Sequence, residues 1–474
     1  MNPSIRIPID CHGGGASDEE ILRITPWARF APRAKAPAPL ESQTMSDSDT
    51  AAVASQAFTP KSDFVRVMME RGYLHQCSDI EALDKAASEG VITAYVGYDA
   101  TATSLHIGNL ISLMMLRRLQ QTGHRPIVVM GGGTTKVGDP SGKDTQRQML
   151  TEADIQANID SIKVVFDRFL AFGSGAREAI MVDNDAWLSK FGYVEFLREF
   201  GPHFTINRML TFESVKLRLD REQPLTFLEF NYMLMQAVDF LELQRRHGCL
   251  LQMGGSDQWG NIINGVDLIR RIDAKQAFAL TTPLLTTASG AKMGKTASGA
   301  VWLNADLMSP YDYWQFWRNT EDADVGRFLK LFTDLPLDEI ARLEALPGAQ
   351  INEAKKVLAD EATALLHGPE AAKAARATSE QAFGGNALDA DLPTVSVLEF
   401  VFNGGFSNTD VIIAAGFAPS KSAARKLIDN GGLRINGEKQ ADPEKLVEAS
   451  QLSAEHTFVV SSGKKKLLFK VGRA

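Results

Sequence analysis

At 474 residues and 51.8 kDa the chain is long enough for roughly two to four domains, and its 44% apolar and 23% charged composition is that of a soluble globular protein. No apolar run is long enough to span a bilayer, and a net charge of −8 excludes wholesale coating of nucleic acid, although a net value can hide a local basic patch. Cys11, Cys77 and Cys249 are too few and too scattered for a disulfide framework or a zinc cluster, which favours a reducing compartment, so the expected location is cytoplasmic.

Residues 1–59 carry a Gly-Gly-Gly run at 13–15, several prolines between Pro26 and Pro39, and no sustained periodicity, which reads as a disordered tail. It lacks the compact apolar core of a signal peptide, and Asp18-Glu19-Glu20 is wrong for a transit peptide. Met45 is a candidate start, which would make the first 44 residues an upstream-start artefact.

From residue 60 to 308 strands alternate with helices. Residues 91–96, 126–130, 179–182 and 249–253 are short β-branched or apolar runs that read as buried strands. This alternation predicts an α/β fold with a parallel, doubly wound sheet whose ligands sit beyond the strand C-termini. The stretch 185–247 reads as a helical insertion between strands. Residues 309–382 are rich in Ala, Leu, Glu and Lys and read as an α-helical domain, 383–393 as a linker, and 393–474 as a small terminal domain.

The first strand leads into a polar turn holding Gly97, Asp99, Thr101, Thr103, Ser104, His106 and Gly108, and then into a helix from about Leu110. The first N–H groups of such a helix attract anions, and Gly108 lets a nucleotide approach the backbone. Read alone, the segment is an ordinary β–α connection. The second strand enters Gly131-Gly132-Gly133 and a turn ending Gly138-Asp139-Pro140-Ser141-Gly142-Lys143. A P-loop does not fit, because Val137 falls where the first glycine is needed and Asp144 follows the lysine.

Thr226 opens a helix to about Leu243 on which Tyr232, Gln236 and Asp239, at i, i+4 and i+7, fall within about 60° of one another. A phenol, an amide and a carboxylate on one face suit a small polar ligand, although a half-exposed helix face has the same spacing. Gly254-Gly255-Ser256-Asp257-Gln258-Trp259 follows the fourth strand, and Lys292-Met293-Gly294-Lys295-Thr296 lies in a Gly/Ser/Thr-rich stretch that reads as a mobile loop.

Taken together and in this order, the motifs resemble those of the class I aminoacyl-tRNA synthetases, specifically the bacterial-type tyrosyl-tRNA synthetases. His106-Ile107-Gly108-Asn109 matches the first signature, His-Ile-Gly-His, and Lys292-Met293-Gly294-Lys295-Thr296 the second, Lys-Met-Ser-Lys-Ser. The resemblance runs from about residue 61 to the C-terminus. It departs at Asn109, which replaces the final histidine, and at Gly294 and Thr296, which replace two serines; both lysines are kept.

The resemblance implies a Rossmann-like catalytic domain, formation of tyrosyl-adenylate from L-tyrosine and ATP, and transfer of tyrosine to its tRNA. By position it places Tyr95 and Asp239 on the substrate phenol. Asp139, Tyr232 and Gln236 fall at the ammonium and carboxylate ends, with Asn184 in support. Thr101 and His106 match groups at the terminal phosphates of ATP. Gly97, Asp99, Gly108, Asn109, Ser112, Asp257 and Gln258 fall on the ATP side, and Lys143, Arg147, Lys292 and Lys295 match mobile cations closing over pyrophosphate. The substrate carboxylate is ionised at neutral pH and needs no base, so alignment and charge stabilisation suffice, with Mg²⁺ expected on the phosphates. A homodimer through the inserted helices is also implied. The rival specificity is tryptophan, against which Tyr95 and Asp239 speak. A second rival is an RNA-binding protein built on a retired synthetase, against which the intact ATP side speaks.

From residue 393 onward there are 11 Lys+Arg against 8 Asp+Glu, the local positive excess that the overall charge conceals. Residues 420–428 read as a helix with Lys421, Arg425 and Lys426 on one side, followed by a glycine turn, a strand with Arg434 and a hairpin turn. This resembles the small RNA-binding domain attached to bacterial tyrosyl-tRNA synthetases. Lys464-Lys465-Lys466 adds cations suited to RNA phosphates.

Overall fold

The computed structural model describes residues 58–139, 150–290, 293, 295–296, 299–384, 392, 394–453, 455–463 and 465–472. The tail expected up to residue 59, with Cys11 and Met45, lies outside the described residues except for its last two positions. So do most of the 383–393 linker, Lys143, Arg147, Lys292 and Lys464.

Six strands form the central sheet: β1 (Gln76–Cys77), β2 (Thr93–Tyr98), β3 (Arg125–Met130), β4 (Ile180–Asp183), β5 (Leu251–Gly255) and β6 (Phe278–Thr282). Their order is β1-β6-β5-β2-β3-β4, with β2 to β6 parallel and β1 antiparallel at the edge. The four strands expected from the sequence are all present, each starting or ending one or two residues from the apolar run that announced it. β1 and β6 were not expected. β1 is two residues long, and β6 ends in Thr281 and Thr282, polar residues that are nonetheless fully buried.

Because the chain moves from β2 out to β4 on one side and from β5 to β6 on the other, the order reverses between β2 and β5. The loops leaving these two strands therefore part and open a crevice, the usual ligand position in such sheets. The turns after β2, β3, β4 and β5, three of them with glycine, leave the same edge, as parallel strands require.

The helix Ile107–Gln121 follows β2 and is buried on several sides, with Leu110, Leu113, Met114, Leu116 and Leu119 in the core. Five α-helices and one short 3₁₀ helix lie between β4 and β5, of which Phe227–His247 is the longest. It starts in a capping box, Thr226 Oγ1 accepting from Glu229 N at 3.2 Å while Glu229 Oε2 accepts from Thr226 N, and it stops at Gly248, whose φ of 63° is left-handed. Its Ala237, Val238, Phe240 and Leu241 pack with Tyr95, Ile127 and Val129 of the sheet.

Five further helices, from Pro310–Arg318 to Pro369–Gly384, follow the sheet. The turn after the helix Val325–Phe332 is clamped to the Ile107–Gln121 helix: Asp334 accepts from Arg117 Nε at 3.1 Å and pairs with Arg118, which also donates to the Thr333 carbonyl.

Beyond a small antiparallel pair, β7 (Lys295–Thr296) with β8 (Gly299–Ala300), the C-terminal region forms its own sheet. It comprises β9 (Thr394–Leu398), β10 (Leu433–Ile435), β11 (Glu438–Gln440), β12 (Thr457–Ser462) and β13 (Lys465–Gly472), in the order β11-β10-β12-β13-β9. Asn436 and Gly437, with φ of 48° and 84°, make the expected tight hairpin turn between β10 and β11.

Candidate active site

The first signature sits where β2 gives way to its helix. His106 is the N-cap: its Nδ1 accepts from Gly108 N at 3.0 Å, and Asn109 Oδ1 accepts from His106 N at 3.1 Å, a reciprocal cap. Asn109 thus commits its oxygen to the cap and keeps its Nδ2 hydrogens as donors. Ser112 Oγ lies 2.8 Å from the Asn109 carbonyl and 3.2 Å from Tyr98 Oη. A β-carbon added to Gly108 would lie 2.8 Å from the His106 ring, so the cap leaves no room for a side chain there. Gly97 is the opposite case: it is exposed, with open space where a side chain would stand. Thr101 is exposed at the same rim.

The chain leaving the second signature is stitched to this cap. His106 and Trp302 form an antiparallel bridge, Ile107 N donates to the Val301 carbonyl at 2.8 Å, and Leu303 N donates to the Leu105 carbonyl at 2.9 Å. The Met293 carbonyl lies 3.9 Å from where a Gly108 β-carbon would be. The two signatures, nearly two hundred residues apart, thus face one another. The backbone of Lys295 is in β7, paired with β8.

The turns after β2, β3 and β4 converge on the helix Phe227–His247, and the turn after β5 joins the turn after β3. Asn184 is buried, and its Nδ2 donates to Asp239 Oδ2 at 2.9 Å and to Thr134 Oγ1 at 3.0 Å. Trp187 Nε1 donates to Asp239 Oδ1 at 2.7 Å. Thr134 Oγ1 donates to Asp99 Oδ1 at 2.8 Å, and Tyr232 Oη donates to Asp99 Oδ2 at 3.1 Å. Gln258 Nε2 donates to Asp139 Oδ2 at 2.9 Å and its Oε1 accepts from Asn261, joining the turns after β3 and β5. Asp257, in the same turn, is half-buried.

Burial pushes the Asp239 carboxyl up to about 7, the Asn184 and Trp187 donors opposing it and the charges of Asp99 and Asp183 adding to it. Burial, and after it the charge of Asp239, raises the Tyr95 phenol well above its ordinary value; burial and Asp99 do the same for Tyr232. Both phenols are therefore neutral donors at physiological pH. Tyr95 Oη, Gln236 Oε1 and Gln252 Oε1 are buried without a hydrogen-bond partner among the described residues. Buried polar groups are nearly always paired, so such a set beside a carboxylate fits a small molecule carrying hydroxyl and ammonium groups.

The resemblance implied Tyr95, Asp139, Asn184, Tyr232, Gln236 and Asp239 around one ligand; Tyr95 lies in β2, Asp139 and Asn184 in the turns after β3 and β4, and Tyr232, Gln236 and Asp239 on the one helix. Three residues were missed: Trp187, Thr134 and Gln252. Trp187 stands three residues after Asn184 on a short helix, and Thr134 follows the glycine run after β3. Chain separations of about fifty residues from their partners leave no spacing signal. Among the described residues no group of three or more His, Cys, Asp or Glu side chains is arranged to hold a metal ion.

In the C-terminal region Lys421, Arg425, Lys426 and Arg434 are all exposed. Arg425 pairs with Glu444 at 2.7 Å, Lys421 stands 3.9 Å from Asp410, and Arg434 donates to the Gly437 carbonyl at 3.0 Å. The solvent-facing pairs contribute little to stability and leave these cations available to a polyanion.

Residues 87–384 match the family model of class I tRNA synthetases for tryptophan and tyrosine, and residues 389–469 match that of the SYY-like C-terminal domain of tyrosine–tRNA ligases. The tyrosine–tRNA ligase of Caulobacter vibrioides (strain NA1000 / CB15N) is 65% identical over 414 residues, covering 87% of this chain and 99% of that protein. That of Xanthobacter autotrophicus is 62% identical over 408 residues, covering 86% and 97%. Among solved structures, a C-terminally truncated mitochondrial tyrosyl-tRNA synthetase of Aspergillus nidulans superposes with a TM-score of 0.61 at 32% identity, covering 68% of this chain and 94% of that one.

Proposed function

We infer that the chain, which belongs to the tyrosine–tRNA ligases among the class I synthetases, uses the converging turns just described as its tyrosine and ATP site. Its reaction joins the L-tyrosine carboxylate to the α-phosphate of ATP, releases pyrophosphate, and then transfers tyrosine to the 3′ end of its tRNA. The observation that carries the site reading is the buried, unpaired Tyr95 hydroxyl beside the Asp239 carboxylate. A substrate phenol donating to Asp239 and accepting from Tyr95 pairs both. Phenylalanine leaves the buried Tyr95 hydroxyl unpaired and gives Asp239 no donor beyond Asn184 and Trp187, which costs binding free energy without any steric clash.

At the other end of the amino acid, Tyr232, Gln236 and Asp139 offer a phenol, an amide oxygen and a carboxylate to the ammonium group, with Asn184 bracing the pocket. The adenosine triphosphate lies along Gly97, Asp99, Gly108, Asn109, Ser112, Asp257 and Gln258, where open space beside Gly97 admits it. The carboxylate attacks in line with the leaving pyrophosphate, and Thr101, His106, Lys143, Arg147, Lys292 and Lys295 stabilise the charge that builds up on phosphate. Mg²⁺, brought with ATP, would offset charge on the triphosphate alongside these residues. The exposed Lys421, Arg425, Lys426 and Arg434 bind the tRNA backbone. Two copies pair through the inserted helices, where Tyr193, Val194, Ile206 and Phe227 are apolar and 59–68% exposed. The domains are divided as read from the sequence, and the enzyme works in the cytoplasm; no helix among the described residues is long and apolar enough to cross a membrane.

The test is amino-acid-dependent ATP–pyrophosphate exchange with tyrosine, phenylalanine and tryptophan side by side. Exchange with tyrosine alone, abolished by Asp239→Asn, supports the reading. Equal exchange with tryptophan, or a fully active Asp239→Asn, overturns the assignment of Tyr95 and Asp239.

A further inference from the structure

Resting on that reading of the pocket, we propose that Thr134 is the positioning residue that locks the two ends of the amino-acid pocket into one hydrogen-bonded frame, with Asp239 at the phenol end and the Asp99–Tyr232 pair at the ammonium end.

The direction of every bond in the frame follows from which groups can donate. Thr134 is buried and has a single hydroxyl proton. That proton goes to Asp99 Oδ1, 2.8 Å away. The hydroxyl oxygen is then an acceptor, filled by Asn184 Nδ2 at 3.0 Å. The second hydrogen of the same Nδ2 goes to Asp239 Oδ2 at 2.9 Å, and Asn184 Oδ1 takes the backbone N–H of Gly133 at 2.8 Å. A flipped Asn184 would turn its oxygen onto the Asp239 carboxylate and its NH₂ onto a backbone N–H. Thr134 and the Gly133 amide together therefore fix the amide, and the amide fixes Asp239. On the other side Asp99, held by Thr134, receives Tyr232 Oη at 3.1 Å.

The backbone makes room for this frame. A β-carbon at Gly131 would lie 2.4 Å from Asp99 Oδ1 and 2.5 Å from Thr134 Oγ1, on top of the bond between them. Gly131 has an ordinary φ of −82°, so space and not backbone conformation requires glycine there.

The experiment compares wild type, Thr134→Val, Thr134→Ser and Gly131→Ala in pyrophosphate exchange, with KM measured separately for tyrosine and ATP and phenylalanine run as competitor. Thr134→Val keeps the shape and removes the donor. It is expected to raise the tyrosine KM by about tenfold, to raise the ATP KM by a smaller factor, since Asp99 is the one ATP-side residue that Thr134 holds, and to lower the preference for tyrosine over phenylalanine. Thr134→Ser restores both, and Gly131→Ala repeats the tyrosine defect by crowding the same two atoms. A folded Thr134→Val or Gly131→Ala with wild-type tyrosine KM and preference overturns the proposal. So does an equal rise in both KM values that serine does not rescue, since that is general loosening. Wild type failing to exchange with tyrosine strikes instead at the functional reading beneath it.

Discussion

The indole Nε1 of Trp187 donates to Asp239 Oδ1 across 2.7 Å, so the carboxylate assigned to the substrate phenol is held from one side by a tryptophan and from the other by Asn184. A buried carboxylate with two fixed donors cannot swing, and its remaining lone pairs point where the donors are not.

Replacing Trp187 by Phe keeps most of the aromatic packing and removes that donor. Hydrogen bonds to a charged group contribute about 1.5–3 kcal/mol, so the tyrosine KM is expected to rise by roughly tenfold or more. The ATP KM is expected to stay near wild type. Steady-state exchange kinetics check this, and a Trp187→Phe enzyme with unchanged tyrosine KM would show that Asn184 alone holds the carboxylate.

The Asp239 carboxyl, pushed up to about 7 chiefly by burial, gives tyrosine binding a pH dependence with a definite sign. The substrate phenol donates to the ionised form, so binding favours loss of the proton. Tyrosine affinity is expected to rise as pH goes from about 6 to about 8, and binding near pH 6.5 should release a fraction of a proton. Stability runs the other way. The folded value lies above the unfolded one, about 3.9, so the contribution is present below the unfolded value and is lost as pH rises through about 7. Titration calorimetry in two buffers of different ionisation enthalpy measures the released proton; a buffer-independent heat would refute the linkage.

Much of this architecture was legible because the four main strands are apolar runs ending in glycine or polar turns. The Tyr232–Gln236–Asp239 face was legible because helical periodicity alone aligns it. What escaped was set by pairings that no local spacing encodes. β6 ends in threonines that only the finished sheet buries. Thr134, Asn184, Trp187 and Asp239 meet across separations of 50 to 55 residues. Asn109 reads as a departure from the first signature, yet in the fold its oxygen completes the His106 cap, a job that an amide does without the missing histidine.

That cap makes a prediction at Gly108. An alanine there puts its β-carbon 2.8–2.9 Å from the His106 ring and forces the ring away from the Gly108 N–H it caps. Loss of an N-cap costs about 1 kcal/mol of stability, while displacing His106 from the phosphates is expected to lower the exchange rate at least tenfold. Thermal melting and exchange kinetics on Gly108→Ala separate the two effects, and a near wild-type rate would remove His106 from the assigned chemistry.

The C-terminal cations predict a different split. Replacing Lys421, Arg425, Lys426 and Arg434 together by Ala is expected to raise the KM for tRNA by tenfold or more on the order of one counterion-releasing contact per cation, and to flatten its dependence on salt. Tyrosine-dependent pyrophosphate exchange, which needs no tRNA, should not change. Aminoacylation at two salt concentrations reads both effects; an unaltered tRNA KM would return these residues to the role of a solvated surface.

Asp334 ties the helices after the sheet to the helix that starts at the first signature. Its partners Arg117 and Arg118 have side chains only 21% and 4% exposed, and the two cations hold its carboxyl down to about 2 against the pull of burial. Asp334→Ala leaves both guanidinium groups without their counter-charge, and breaking such a pair costs about 3 kcal/mol, enough to lower the melting temperature by several degrees. Because the folded value lies below the unfolded one, the wild-type stabilisation is present above about pH 4 and is lost as pH falls through about 2. The variant should therefore be less stable than wild type at neutral pH, with the difference shrinking as the solution is acidified. Urea titrations at pH 7 and pH 3 test this. A gap that stays constant with pH would assign the loss to packing and not to the ion pairs.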